Sequence, residues 1–280
     1  MKYGMVIDLT LCIGCYNCQI ACKDEYVDND WLPYSASQPD TDQFWMHVVE
    51  KVRGAAPRVK VAYIPTPCMH CSNAPCMAAS SGGAVYRRSD GIVLVDPIKS
   101  VGQTKIALAC PYGAMFINPS TNAAQKCTLC AHLLDAGWKE PRCVEACPVS
   151  CIKFGDLDDP NSEVAKLVAS GSAKQLHPEY GTDPHVFYIG LPKTFLAGSV
   201  ISAASKDYVK DAIVVLTDTK GNAISTKTNG FGDFEFEGLN ANVMYKLTIT
   251  KEGMFTKTEM IFLDKDRYLE DIPLFPRGVL

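Results

Sequence analysis

The sequence has no apolar run approaching the ~18 residues of a membrane span, so no transmembrane helix is expected. Its start, Met1-Lys2-Tyr3-Gly4-Met5-Val6-Ile7-Asp8, lacks the continuous apolar core of a secretory leader. A soluble, cytoplasmic protein is expected, or one exported only together with a signal-bearing partner. A basic excess is missing too. Lys and Arg number 27 against 31 Asp and Glu, a formal charge of −4, which argues against nucleic acid as the main partner. There is no Ser–His–Asp set, P-loop or Rossmann glycine fingerprint, and no catalytic residue is assigned to this chain. Cysteine is absent from residues 152–280, although the whole chain has 13. The apolar fraction of 47% against 21% charged excludes a wholly disordered chain. A length of 280 residues leaves room for about two domains.

All the cysteines fall between Cys12 and Cys151, and their spacing carries the chemistry. Disulfides require an oxidising compartment and have no use for tight C-x2-C gaps. Zinc would take two C-x2-C pairs per site. Iron–sulfur cubanes take three closely spaced thiolates and a distant fourth, often followed by proline. Block I reads Cys12-x2-Cys15-x2-Cys18-x3-Cys22, the bacterial ferredoxin run with Lys23 in place of the trailing proline. Block II is Cys68-x2-Cys71-x4-Cys76, and block III is Cys110 followed by Pro111. Block IV is Cys127-x2-Cys130-x12-Cys143-x3-Cys147, followed by Pro148. Two-residue gaps let one loop wrap a cubane and aim its N–H groups at the sulfurs. Zinc suits block IV alone and is strained for block I, so iron–sulfur clusters are the expected cofactors.

The number of clusters follows from what is missing. In two-cluster ferredoxins the fourth cysteine of each run ligates the other run's cluster. Four clusters would need sixteen ligands. Ser80 stands where the fourth cysteine of block II would fall, and Ser100, Gln103 and Ile106 stand at the first three positions of block III. Under crossed ligation these four losses empty one cluster and leave Cys68, Cys71, Cys76 and Cys110 as a complete set. Blocks I and IV then form the second crossed pair: Cys12, Cys15, Cys18 and Cys147 in one set, and Cys22, Cys127, Cys130 and Cys143 in the other. Three [4Fe–4S] clusters are expected, with Cys151 left over as a small buried residue. Each oxidised cubane with four thiolates carries about −2, so basic groups are wanted nearby. Lys126 is a candidate, with a solvated side chain as the alternative. His70 reads as a loop residue, and His177 and His185 as isolated surface or linker residues.

Val85–Arg88 and Ile92–Val95 flank Asp90-Gly91, a hairpin signal. A strand is expected over Ile152–Leu157, with helices over Cys127–Leu134 and Ser162–Ser170, the latter capped at Asn161 or Ser162. The fold class is α+β: a ferredoxin-type domain over 1–170 and an all-β sandwich of transthyretin or immunoglobulin type over 196–280. Residues 171–195 read as a linker or arm. The sandwich rests on about seven short strands, with alternation at Asp233–Glu237 and Tyr245–Thr250.

Cys-Met-His-Cys at 68–71, Cys-Pro-Tyr-Gly-Ala at 110–114 and Lys-Cys-Thr-Leu-Cys-Ala-His at 126–132 resemble the iron–sulfur (beta) subunits of the dimethyl sulfoxide reductase family of molybdopterin oxidoreductases. The likeness spans roughly residues 1–170. Most such subunits keep sixteen ligands and four clusters. The three-cluster departure with a C-terminal sandwich is similar to small subunits of the pyrogallol–phloroglucinol transhydroxylase type. Residues 199–250, with Thr-Asn-Gly-Phe-Gly-Asp-Phe-Glu-Phe at 228–236, are similar to carboxypeptidase-regulatory-like or transthyretin-like domains. The resemblance implies a larger catalytic partner, in a heterodimer or higher oligomer, that holds a molybdenum bis-MGD cofactor and the substrate. It implies an electron-transfer role here, in hydroxyl transfer, anaerobic hydroxylation or dehydroxylation of polyhydroxylated aromatics such as pyrogallol. The competing readings are clusters used mainly as folding staples and a free-standing ferredoxin.

Overall fold

A computed structural model describes residues 1–278 of the chain. In chain order its first elements are β1 (Tyr3–Asp8), α1 (Asn17–Tyr26), β2 (His47–Ala55), β3 (Arg58–Thr66), α2 (Pro75–Ala78), β4 (Val85–Arg87), β5 (Val93–Val95) and α3 (Lys105–Leu108). Then come β6 (Phe116–Ile117), β7 (Ala124–Gln125), α4 (Ala131–Asp135), α5 (Arg142–Glu145), β8 (Ile152–Asp156), α6 (Glu163–Ala169) and β9 (Val186–Ile189). The remainder is all strand: β10 (Thr194–Ser202), β11 (Ile213–Thr217), β12 (Ala223–Lys227), β13 (Asp233–Leu239), β14 (Val243–Thr250), β15 (Lys257–Leu263) and β16 (Arg267–Leu274). The chain forms two compact units, Met1–Lys51 with Ala62–Leu191, and Val52–Val61 with Pro192–Leu280.

The first unit is built from short elements because its chain keeps turning around cysteines. Its one three-stranded sheet has β1 in the centre, antiparallel to β8 and parallel to β9. Met5, Val6 and Ile7 of β1 are fully buried, as expected of a central strand covered on both faces. The β4–β5 hairpin turns at Asp90-Gly91, where Gly91 has φ +83°, a conformation that favours glycine. Ser162 caps α6 by accepting the N–H of Ala165 at 3.1 Å. The Cys127–Leu134 helix shrinks to α4, because Leu129 and Cys130 take left-handed backbone angles that no helix continues through.

The segment expected as a linker over 171–195 is structured differently. Residues up to Leu191 belong to the first unit. Val186–Ile189 zips onto β1, and Lys174 pairs with Tyr188 in an isolated bridge. Hydrogen bonds to β1 satisfy a backbone that a free arm would leave to water.

The second unit contains seven strands in a three-stranded sheet (β13-β10-β16) and a four-stranded sheet (β12-β11-β14-β15). Alternate residues of both sheets share one core, with Leu196, Val200, Phe234 and Phe236 from the first and Val214, Leu216, Leu247 and Ile249 from the second. The period of two in Asp233–Glu237 buries Phe234 and Phe236 and leaves the acids outside. This unit also includes the tip of the β2–β3 hairpin. Arg58 pairs with Asp233 at 2.5 Å, Lys60 with both Glu235 and Glu237, and Arg53 with Asp266 at 3.2 Å.

Candidate iron–sulfur centres

All twelve candidate ligands lie in the first unit. Cys18, Cys22, Cys68, Cys71, Cys76, Cys127, Cys130 and Cys143 are buried, Cys12, Cys110 and Cys147 half-buried, and Cys15 exposed. Cys12, Cys15, Cys18 and Cys147 line one small cavity, together with Cys151, Gly14 and Pro65. Burial pushes the Cys18 thiol up to about 12, and neighbouring Cys12, Cys147 and Cys15 add to the rise. Burial likewise holds Cys22 well above the usual thiol range, reinforced by Cys127 and Cys130 from the far end of the domain. Cys143 is raised by burial and by Cys130, Cys22 and Cys127. Burial takes Cys71 to about 12, with Cys68, Cys110 and Cys76 as its thiol neighbours.

These environments suit an inorganic cluster and little else. Buried thiols crowded together resist ionising one by one. A bound metal deprotonates its thiols outright and its charge replaces the missing counter-ions. Among the described residues, no three His, Cys, Asp or Glu side chains close on one point tightly enough for a single metal ion. The main chain supplies the donors a cubane wants. Leu129 N–H reaches Cys127 Sγ at 3.3 Å, His70 N–H reaches Cys68 Sγ at 3.5 Å, and Cys151 N–H reaches Cys147 Sγ at 3.3 Å. Tyr16, His70, Leu129 and Cys130 have positive φ, which turns the loops sharply beside the cysteines. At Cys147 burial alone would raise the thiol. Donation from the backbone of Cys151, Val149 and Ile152 outweighs it and brings the group below the usual value.

The positions read as an emptied fourth site hold a different kind of structure. Ile106 is completely buried in an apolar cluster with Val85, Val93, Val95 and Met115. The Gln103 amide ties the two loops together. Its Oε1 accepts the Ser81 N–H at 2.9 Å, and its Nε2 donates to Lys99 O at 2.7 Å. Ser80 Oγ donates to Met77 O, and Ser100 is fully buried.

Of the two readings of Lys126, the solvated one fails: the side chain is buried, and its Nζ donates to the carbonyls of Val93 and Cys127. His185 is buried rather than a surface residue, with Nε2 3.1 Å from Ser72 Oγ. His70, in its loop, is also buried, and its Nδ1 accepts the Val93 N–H at 3.1 Å. His177 is half-buried and pairs with Glu179. Sequence reasoning missed the shell around Cys130, where Tyr26 and Thr128 share a 2.6 Å hydrogen bond and His132 stacks on Trp31 while meeting Glu25 at 2.9 Å. Its only trace in the sequence is an aromatic and acidic density after Cys22.

Comparison with known proteins agrees with this chemistry. The 4Fe-4S dicluster domain family matches residues 59–157. The pyrogallol hydroxytransferase small subunit of Pelobacter acidigallici is 40% identical over 94% of this chain and 96% of its own length. A tetrathionate reductase subunit of Salmonella typhimurium is 39% identical over 70% of this chain and 75% of its own. The arsenate respiratory reductase iron-sulfur subunit of a Shewanella species is 34% identical over 68% and 96%. Among the described residues no helix is long and apolar enough to cross a membrane. The chain belongs to the electron-transferring iron–sulfur subunits of the dimethyl sulfoxide reductase family of molybdopterin oxidoreductases.

Proposed function

We propose that this chain is the cluster-bearing subunit of a heterodimeric complex that transfers hydroxyl groups between polyhydroxylated aromatics of the pyrogallol class. The partner subunit would hold the substrate and the molybdenum bis-MGD. The observation that carries the reading is the reach of the pyrogallol hydroxytransferase alignment. It covers 94% of this chain and so extends into the all-β unit, whereas the matches to the tetrathionate and arsenate reductase subunits cover 70% and 68%.

Three [4Fe–4S] clusters are proposed, one on Cys12, Cys15, Cys18 and Cys147, one on Cys22, Cys127, Cys130 and Cys143, and one on Cys68, Cys71, Cys76 and Cys110. The support is the gathering of the thiols and the N–H donors at Cys68, Cys127 and Cys147. When bound, each cluster accepts and returns one electron at a potential set by charge, hydrogen bonds and exposure. The chain's own residues hold the sulfurs, direct N–H dipoles at them and keep most of them from water. Cys15 is the one exposed thiol among the twelve. The second unit is proposed to be a β-sandwich of transthyretin or immunoglobulin type, supported by the core common to its two sheets.

Hydroxyl transfer between two aromatics has no net electron demand. The complex, co-expressed and purified anaerobically, should convert pyrogallol in the presence of a second polyhydroxylated aromatic as hydroxyl donor, with no external reductant or oxidant. Turnover that stops unless electrons are supplied or removed would replace this reading with a dehydroxylase or a hydroxylase.

A further inference from the structure

Lys126 is the one lysine buried among the described residues, at 2% exposure. Its Nζ donates only to main-chain carbonyls, those of Val93 and Cys127, the latter at 3.0 Å. None of the ion pairs among the described residues includes it. Two carbonyl dipoles solvate an ammonium but do not neutralise it, and a buried cation without an anion is strongly unfavourable. The fold therefore leaves a positive charge waiting for a negative one.

The surroundings identify that anion. The Val93 carbonyl that receives Nζ lies in an apolar cluster with Cys76, and Cys110 packs against that cluster, so the ammonium sits beside one proposed ligand set. Lys126 directly precedes Cys127 of another set. It does not line the cavity that holds Cys12, Cys15, Cys18 and Cys147. The lysine is also held from both sides. Val93, whose carbonyl receives Nζ, gives its N–H to His70 Nδ1, and His70 lies inside the Cys68–Cys71 loop. Cys127, whose carbonyl is the second acceptor, opens the neighbouring set.

We propose that Lys126 is the shared counter-ion of two clusters, the one on Cys22, Cys127, Cys130 and Cys143 and the one on Cys68, Cys71, Cys76 and Cys110, raising the reduction potential of both. The inference rests on the ligand sets proposed above. Each cluster becomes more negative when it takes up an electron. A fixed positive charge in a poorly polarisable interior favours that state, and burial spares the charge from the ionic screening that would blunt an exposed lysine. Lys126 is thus a positioning and tuning residue with no part in bond chemistry.

The test is a potentiometric titration of the anaerobically purified complex, followed by EPR, for wild type and Lys126→Met. Iron analysis of the wild type comes first. A value other than about 12 Fe per chain removes the ligand sets themselves, which separates that failure from failure of the present inference. With 12 Fe, Lys126→Met should make two of the three clusters at least tenfold harder to reduce, about 59 mV for a one-electron couple, and leave the third unmoved. Fewer than two shifts, or an equal shift of all three, overturns the proposal. If Lys126→Met fails to retain iron, Lys126→Arg and Lys126→Gln are read instead. Arg preserving both potentials while Gln lowers them, or Arg retaining iron while Gln loses it, supports the proposal. Arg and Gln behaving alike overturns it.

Discussion

His185 shows how much a single side chain can contribute without touching a cluster. Its backbone bridges Met69 and β1, accepting the Met5 N–H at 2.9 Å and donating to Met69 O at 2.8 Å. Burial, helped by Lys2 and Arg87, lowers its imidazole from the ordinary 6.5 to about 4. The folded state therefore keeps the ring neutral while the unfolded chain takes up a proton. Its contribution is complete above pH 6.5 and is lost progressively as the pH falls toward 4, on the order of 3 kcal/mol at most. His185→Gln should remove that slope. Denaturant midpoints of both proteins across this range would check it, since acid loss of clusters is common to the two. A wild-type-minus-variant difference that does not change with pH would refute the argument. Spacing alone pointed to the twelve cysteines, because cubane ligation is written in local gaps such as Cys12-x2-Cys15. The burial of His185 was not legible, because it is covered by a segment distant in sequence, at Ser72.

At the scale of elements, the β2–β3 hairpin stands out. Alternation in Arg58-Val59-Lys60-Val61 could have announced it, but the strand is amphipathic in charge rather than in apolar burial, so it gives a weak signal. Its tip is tied into the second unit through charges of unequal worth. Arg53 and Asp266 are only 10% and 14% exposed, and Asp266 also accepts the Phe195 N–H at 2.9 Å. Arg53→Ala strands a partly buried carboxylate and should cost about 3 kcal/mol. Lys60 is 31% exposed, and Lys60→Ala should cost less than ~1 kcal/mol despite its two glutamates. Chemical denaturation of the two variants, with cluster absorbance as a control for the first unit, would show the contrast. Equal losses would contradict it. The strand Val186–Ile189 escaped notice for a related reason, since a four-residue run between Pro184 and Gly190 carries no readable period.

For the molecule as a whole, two kinds of order sit in one chain. The all-β unit is held by an apolar core whose alternation was plain in Asp233–Glu237. The cysteine-rich unit has helices of mostly a single turn, so cluster binding would add to its folding free energy. The replaced positions follow the same logic. Ile106 fills an apolar cluster and Gln103 stitches two loops, so ordinary packing holds the positions where the sequence has no cysteine. The claim underlying everything else is that remote cysteines cross over to complete three clusters. Anomalous diffraction at the iron edge from crystals of the complex tests it most directly. The account predicts three cubes in this subunit, with Cys147 on the cube of Cys12, Cys15 and Cys18, and Cys22 on that of Cys127, Cys130 and Cys143. Two or four cubes, or Cys22 bound beside Cys18 on one cube, would contradict it.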